Sequence, residues 1–389
     1  TNTVTKEGMK RLPIEVSSLD PLTGEATATY DAGLAHCFPP VATPYFMFAG
    51  VLDMTDLQSG KVVANRITKA NCSQENGWVP ANGLAYPKHC PCWPMLRGYV
   101  SMASKSPMEN AAMKPLEEID FPLTKGPAYK KLSTLNKKPS TDTDWSLYRG
   151  NKWRSGSTIA PGPKKLDQVW ATRLASKAEV AMVGKAPIGP ILHDWRENAI
   201  VKGPISAPTI VSGRAYVARP NAHEVISIDA ETGDVVWRFT ADGRVDTPPA
   251  IHKGLCLFGS ASGHVYALSA DSGKLAWRLQ AAPTTERIVA YGQVESPWPV
   301  PGAVLIIDDI AYFAAGRQPF ADGGILIFAI DPSTGKRHWV HRIDTVPQKG
   351  YYENSGLEFD PFDILHQEGE KITMSRWLIS RDGKDVDVD

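Results

Sequence analysis

Between residues 203 and 341 apolar and polar side chains alternate in short runs, and the runs recur together with their punctuation. VISI (225–228), VYAL (265–268) and ILIFAI (325–330) each lead into a five-residue turn sequence: DAETG (229–233), SADSG (269–273) and DPSTG (331–335). Period-two alternation predicts half-buried strands. Asp or Ser followed by Thr or Ser and then Gly predicts a tight turn, with a side chain capping the backbone and a glycine at positive φ. Four residues after each glycine stands a tryptophan: Trp237, Trp277 and Trp339. Each unit is thus a hairpin that delivers one indole to a fixed place.

A second element precedes each hairpin: a proline, an apolar strand, a turn and another strand. SAPTIVSGRAYVA (206–218), DTPPAIHKGLCLFGS (246–260) and PGAVLIIDDIAYFAA (301–315) fit it. Four strands in about 40 residues is the size of a propeller blade. Asp229 and Ser269 lie 40 residues apart, and Asp20 of DPLTG and Asp56 of DLQSG lie 36 apart. Ser269 and Asp331 are separated by 62, so 22 residues are inserted between those two copies. A flat sandwich would not require turn, tryptophan and proline element to recur together. The expected fold is all-β, a β-propeller of four-stranded antiparallel blades, with blades at both chain ends.

ISIDAETGDVVWRF and VYALSADSGKLAWRL resemble the pyrroloquinoline-quinone-like (PQQ-like) repeat, most strongly over about 203–341. That family includes quinoprotein alcohol dehydrogenases and the lipoprotein propeller of the outer-membrane assembly machine. The resemblance implies that the tryptophan docks between adjacent blades. CFPPVAT (37–43), VPANGLAYPKHCPCW (79–93), DWSLYRGNKWRSG (144–156), AYGQVESPWPV (290–300) and YFAAGR (312–317) are similar to segments of large secreted bacterial PQQ-like propeller proteins.

Along the chain, residues 1–104 read as degenerate blades, with Asn65 where a docking tryptophan would stand. Residues 105–143, rich in Lys, Pro, Ser and Thr, read as a linker or a strap over the surface. From Trp145 the blade pattern restarts over 144–389, with Trp170 as a further docking candidate and insertions at about 174–202 and 280–300. GEKITMSRWLISRDGK (369–384) reads as the start of another hairpin. The N-terminal blades either close the same ring or belong to a second propeller, and a chain cut from a longer precursor fits as well.

Composition changes the picture in two places. Lys+Arg and Asp+Glu are both 42, so the formal charge is zero and attraction to nucleic-acid phosphate is not expected. No apolar run is long enough to span a bilayer, and Thr1 to Met9 lacks a signal pattern. Cys37, Cys72, Cys90 and Cys92 cluster in an otherwise cysteine-poor chain. Two disulfides and an exported, periplasmic or extracellular protein are the expectation. His36 and His89 beside two of these cysteines leave a metal site open, and Cys90-Pro91-Cys92 leaves redox chemistry open; no metal ligand set is assigned. Cys256, in GLCLFG, reads as a buried core thiol.

Candidate chemistry falls on loops of one face. In a blade, the loop between the second and third strands and the connection to the next blade share a face. The insertion at 280–300 and GRQPFADGG (316–324) therefore crowd one channel mouth, carrying Arg287, Tyr291, Gln293, Glu295, Trp298 and Arg317. Arg244 and Asp246 of GRVD point to the same face. The set suits a sugar or a carboxylated ring ligand; alternatively the charges pair with one another. Glu295 and Asp322 are the one carboxylate pair that a glycoside-cleaving site could use.

The dehydrogenases of the resembled family hold PQQ with an adjacent Cys-Cys disulfide, a stacking tryptophan and calcium. Here Cys90 and Cys92 have a spacer, and no compact acidic cluster reads as a calcium site. His264, next to a turn glycine, reads as a packing or capping residue. Two functions are carried forward. One is a non-catalytic scaffold presenting its channel-face loops to a companion chain, to the remainder of a longer polypeptide or to a polysaccharide. The other is a PQQ- and calcium-dependent oxidoreductase of alcohols or sugars.

Overall fold

The computed structural model describes residues 2–5, 8–11, 15–32, 40–48, 53–64, 78–82, 84–87, 102–103, 114–134, 141, 143–162, 164–177, 204–290, 293–317, 323–344, 364–374 and 377–386. The chain divides into two compact units, 1–109 with 290–292, and 110–289 with 293–389. Cys37, Cys72, Cys90, Cys92 and Asn65 lie outside the described residues.

In the first unit, Glu15–Leu19 and Ala26–Asp31 form a hairpin around the Asp20 turn. Val41–Ala42, Phe46–Phe48, Asp53–Asp56 and Val62–Ala64 form a four-stranded antiparallel sheet. A three-stranded sheet holds Trp78–Ala81, Leu84–Pro87 and Met102–Ala103. Trp78 is buried, and its ring centroid lies 5.5 Å from that of Phe48.

Among the described residues the second unit carries four successive four-stranded antiparallel blades, each with its strands in sequence order. Blade I is Thr209–Val211, Arg214–Arg219, Glu224–Asp229 and Val235–Thr240. Blade II is Ala250–His252, Leu255–Gly259, His264–Ser269 and Leu275–Gln280. Blade III is Leu305–Ile307, Ile310–Ala315, Ile325–Ile330 and Arg337–Ile343. Blade IV is His366–Glu368, Lys371–Met374, Trp377–Ile379 and Asp385–Val386. In blades I and II the first strands of neighbours lie side by side, as do those of II and III. Cys256, in blade II, is fully buried, and burial pushes its thiol pKa up.

The turns behave as their composition requires. Asp229 Oδ1 accepts the N–H groups of Glu231 (2.9 Å) and Thr232 (3.0 Å), and these donors hold its carboxyl below the usual range. Asp331 Oδ1 accepts from Ser333 (2.7 Å) and Thr334 (3.2 Å) in the same way. Gly233, Gly273 and Gly335 all take positive φ. They are needed a second time, because a Cβ there would lie 2.6 Å from the Trp170 ring, 2.6 Å from the Trp237 ring and 3.0 Å from the Trp277 ring, respectively. Glycine thus provides both the turn and the seat for an indole.

Four tryptophans use those seats in one pattern. The indole N–H of Trp170 donates to Ala230 O (3.0 Å), that of Trp237 to Ala270 O (2.8 Å), that of Trp277 to Pro332 O (3.0 Å) and that of Trp339 to Arg381 O (2.9 Å). Each acceptor is the second residue of a blade's turn, so Trp237, Trp277 and Trp339 each lock one blade to the following one, while Trp170, outside the described strands, docks on blade I. Within the sheets, Trp237, Trp277 and Trp339 stand opposite Ser227, Ala267 and Ala329, small residues that leave room for the ring. A register shift follows immediately in all three blades. Such an irregularity re-aims a side chain out of the sheet.

Two segments differ from a simple run of blades. Leu123–Lys125 pairs antiparallel with the last strand of blade II and makes that sheet five-stranded. Residues 144–154, expected as the restart of the blade pattern, instead run along the first strands of the blades. Trp145 exchanges backbone hydrogen bonds with Ile210 of blade I, and Ser146 O accepts the N–H of Ile251 in blade II. Lys152 O accepts the N–H of Gln367 in blade IV. The buried Arg154 donates to the carbonyls of Tyr148 (3.0 Å), Ala303 (3.2 Å), Val304 (3.3 Å) and Leu365 (3.2 Å). Backbone groups of this segment thereby bond the axial edges of blades I, II and IV, and the Arg154 guanidinium binds carbonyls that precede the first strands of blades III and IV. Alternating polarity does not distinguish this role from that of a strand, because here main-chain groups and one arginine carry the bonding.

Replacing Arg154 by Met leaves three buried carbonyls and one part-buried one without this donor. The expected cost is about 3 kcal/mol, read as a lower urea midpoint together with faster proteolysis within 144–156. An unchanged midpoint would remove Arg154 from its place as the axial lock.

Candidate functional site

The connections on the shared face are tied together by backbone before any side chain is considered. Ala261 N–H, between the second and third strands of blade II, donates to Arg244 O (2.7 Å). Ala261 O accepts the N–H of Ser296 (2.8 Å), and Gly316 N–H reaches Pro299 O (3.0 Å). Four successive loops are thus stitched side by side.

This stitching brings four of the eight expected site residues together. Arg244 Nε lies 2.6 Å from Asp246 Oδ1, and Arg244 Nη1 lies 2.7 Å from Glu295 Oε1. The other Glu295 oxygen meets Arg317 Nη2, which also donates to Ser296 O (3.2 Å). All four side chains are buried. Two guanidiniums and two carboxylates leave the network neutral, which is how buried charges are tolerated.

Of the remaining four, Trp298, Arg287 and Gln293 are elsewhere. Trp298 is buried in the apolar core between blades II and III, with its backbone N–H donating to Ser296 Oγ (3.1 Å). Arg287 is exposed and donates to the neighbouring Glu286 O (3.1 Å). Gln293 bonds across to blade I, with Oε1 2.9 Å from His223 Nε2 and Nε2 donating to Asn221 Oδ1 (3.2 Å). Tyr291 and Asp322 lie outside the described residues, so the Glu295 and Asp322 pair has no described geometry.

A second polar cluster sits on the same loops; of its members His264 was read from sequence as a packing or capping residue, and Asp242 was not singled out. Asp242 Oδ2 lies 2.9 Å from His264 Nδ1, and Ser262 Oγ donates to Asp242 Oδ1. Ser260 Oγ lies 3.0 Å from Ser262 Oγ, and Tyr266 OH accepts the Asp242 N–H (3.3 Å). Burial pushes the Asp242 carboxyl up, but hydrogen bonds from His264, Ser262 and Tyr266 outweigh it and hold it well below the usual range. The signal was local: Ser260 and Ser262 lie in the turn that leads into the strand His264–Ser269, on which His264 and Tyr266 share one side. Although Ser, His and Asp meet here, Nδ1 of His264 faces both Asp242 and Ser262 (3.1 Å). A nucleophile relay needs the hydroxyl and the carboxylate on opposite ring nitrogens. This cluster holds loops together.

The same geometry tests PQQ. A quinone cofactor needs an exposed ring to stack on and free charged groups for its carboxylates. Trp298 is enclosed by the core, and Arg244 and Arg317 are taken up by Glu295 and Asp246. Among the described residues, no three His, Cys, Asp or Glu side chains converge as a cation site would require. The paired network thus leaves neither Arg244 nor Arg317 free for a cofactor carboxylate, and Trp298 offers no open ring face.

The blades and their docked indoles define a PQQ-type propeller. Residues 164–355 match the family described as outer membrane protein assembly factor BamB, and that stretch is PQQ-like repeat sequence. The chain is similar to the dehydrogenase subunit of a quinone alcohol dehydrogenase from Gluconobacter oxydans, with 32% identity over 38% of this chain and 20% of that protein. It is also similar to BamB of Burkholderia pseudomallei, with 26% identity over 46% of this chain and 40% of that protein. The aligned part is thus a fifth of the length of the first of these relatives. Among solved structures it is similar to the quinohemoprotein alcohol dehydrogenase of Comamonas testosteroni, at 16% identity and a TM-score of 0.38, covering 66% of this chain and 42% of that one. BamB of Moraxella catarrhalis gives 16% identity and a TM-score of 0.31, covering 46% of each chain. No helix among the described residues is long and apolar enough to cross a membrane.

Proposed function

We propose that this propeller is an exported, non-catalytic scaffold that presents its channel-face loops to a companion protein chain or a polysaccharide. The observation that carries the reading is the self-pairing of the charged groups on that face: Arg244, Asp246, Glu295 and Arg317 are buried against each other. Residues that must bind and release a charged substrate are poorly served by an internal network whose disruption costs several kcal/mol. The axial segment 144–154 adds to this, because it occupies the first-strand edges of blades I, II and IV with backbone bonds. What is left for recognition is loop surface on a rigid frame, including the exposed Arg287. Export, to the periplasm or beyond, belongs to this proposal, supported by the relatives described as outer-membrane assembly factors.

The second reading, a PQQ-dependent oxidoreductase of alcohols or sugars, is favoured by the relatives named as quinone alcohol dehydrogenases. Reconstitution with PQQ and calcium separates the two. The scaffold predicts no dye-linked oxidation of alcohols or sugars and no saturable PQQ binding by fluorescence titration. Turnover that saturates with added PQQ would replace it with the oxidoreductase.

A further inference from the structure

Away from the channel face, the strand Leu123–Lys125 and the short helical turns that flank it wall a groove against blades II and III. Its volume is about 680 Å³, within the range of clefts that hold ligands or peptide segments. Ile119, Phe121, Leu123 and Leu279 make an apolar floor. Around it stand three cations, Lys125, Lys336 and Arg337, all exposed. Among the described residues none of the three forms an ion pair. Two carboxylates face them: Asp120, and Asp331, which also caps its own turn.

We propose that this groove binds an acidic, partly apolar peptide segment of another protein in extended conformation. Three observations select that occupant. Three cations without an ion pair among the described residues, against two carboxylates, leave an excess of positive charge that calls for anionic groups. The apolar floor calls for hydrophobic side chains between them. The faces of the two aromatic rings are already covered, with Lys125 Nζ 4.5 Å from the Tyr129 centroid and Arg337 5.2 Å from that of Phe121. Flat stacking of a sugar ring is thereby disfavoured. Leu123–Lys125 is also the edge of its sheet, pairing among the described residues with blade II alone, so an incoming strand finds main-chain partners there. The groove is independent of the channel-face loops and stands whichever function those loops serve.

The test uses the full chain and a fluorescein-labelled ten-residue peptide of alternating Glu and Leu, followed by anisotropy. Binding is expected at low salt, weakening as salt rises, with none for the matching Lys and Leu peptide. The triple variant Lys125→Glu, Lys336→Glu, Arg337→Glu should weaken binding about tenfold or more, while Lys125→Arg with Lys336→Arg keeps it. These side chains are exposed, and thermal melts of the variants check the fold. Should the triple variant melt early, the single Lys336→Glu variant supplies the comparison. No binding by the native chain, equal binding by the charge-reversed variants, or an oligogalacturonate that binds where the peptide does not would each overturn the proposal.

Discussion

Replacing Trp277 by alanine is expected to destabilise the second unit by about 3–5 kcal/mol, the range for removing a large aromatic from a close-packed core. Its ring is fully buried between blades II and III, and its N–H is bonded to Pro332 O. The loss is graded along the chain. Trp237, 8% exposed, should cost less than Trp277, and Trp170, 36% exposed, least of the three. Trp277→Phe keeps most of the apolar contact but leaves the Pro332 carbonyl without its donor, so a cost nearer 1 kcal/mol is expected for the lost bond. Urea midpoints of the alanine series check the order. An equal effect at all three positions would contradict docking of the kind described.

Glu295→Gln should be comparably severe, at about 3–5 kcal/mol. The carboxylate is the shared counter-ion of Arg244 and Arg317, and its loss leaves two buried guanidiniums with Asp246 alone between them. Removing a guanidinium as well repairs part of the imbalance. In a double-mutant cycle with Arg317→Met, the double variant should therefore be less destabilised than the sum of the single ones. Additive effects, or a single-variant cost under about 1 kcal/mol, would show these charges to be solvated. The loops would then be free to bind a ligand.

The repeat was readable from residues because each of its parts has a local cause. Asp229 and Asp331 cap their turns, the glycines take positive φ, and alternation sets which side chains face inward. The register that places Trp237, Trp277 and Trp339 on the next blade's second turn carbonyl follows from their constant distance from the glycine. Trp170 was a candidate from its place in VWATRLA, without a turn glycine four residues before it. The axial segment was not legible as such. Trp145, Ser146 and Lys152 join the first strands through backbone atoms, and main-chain hydrogen bonding leaves no mark on side-chain pattern.

The site divides similarly. Chain topology was enough to place Arg244, Asp246, Glu295 and Arg317 on one face. Whether such charges await a ligand or neutralise each other depends on distances of an ångström or two, which sequence spacing does not set. Gln293 and Trp298 show the same limit: both lie in the predicted insertion, yet one bonds to blade I and the other is packed into the core. Asp242 escaped notice because its partners, Ser262 and His264, are twenty and more residues away and belong to the next blade.

Hydrogen exchange of the indole N–H groups bears most directly on the serial docking of blades. Assigned by single Trp→Phe variants in a nitrogen-15 spectrum, the signals of Trp237, Trp277 and Trp339 should exchange far more slowly than that of Trp153, which is 55% exposed, with Trp277 slowest. Exchange of all four at the rate of a free indole would mean that no indole is seated in a neighbouring turn, and the radial arrangement of blades would fall with it.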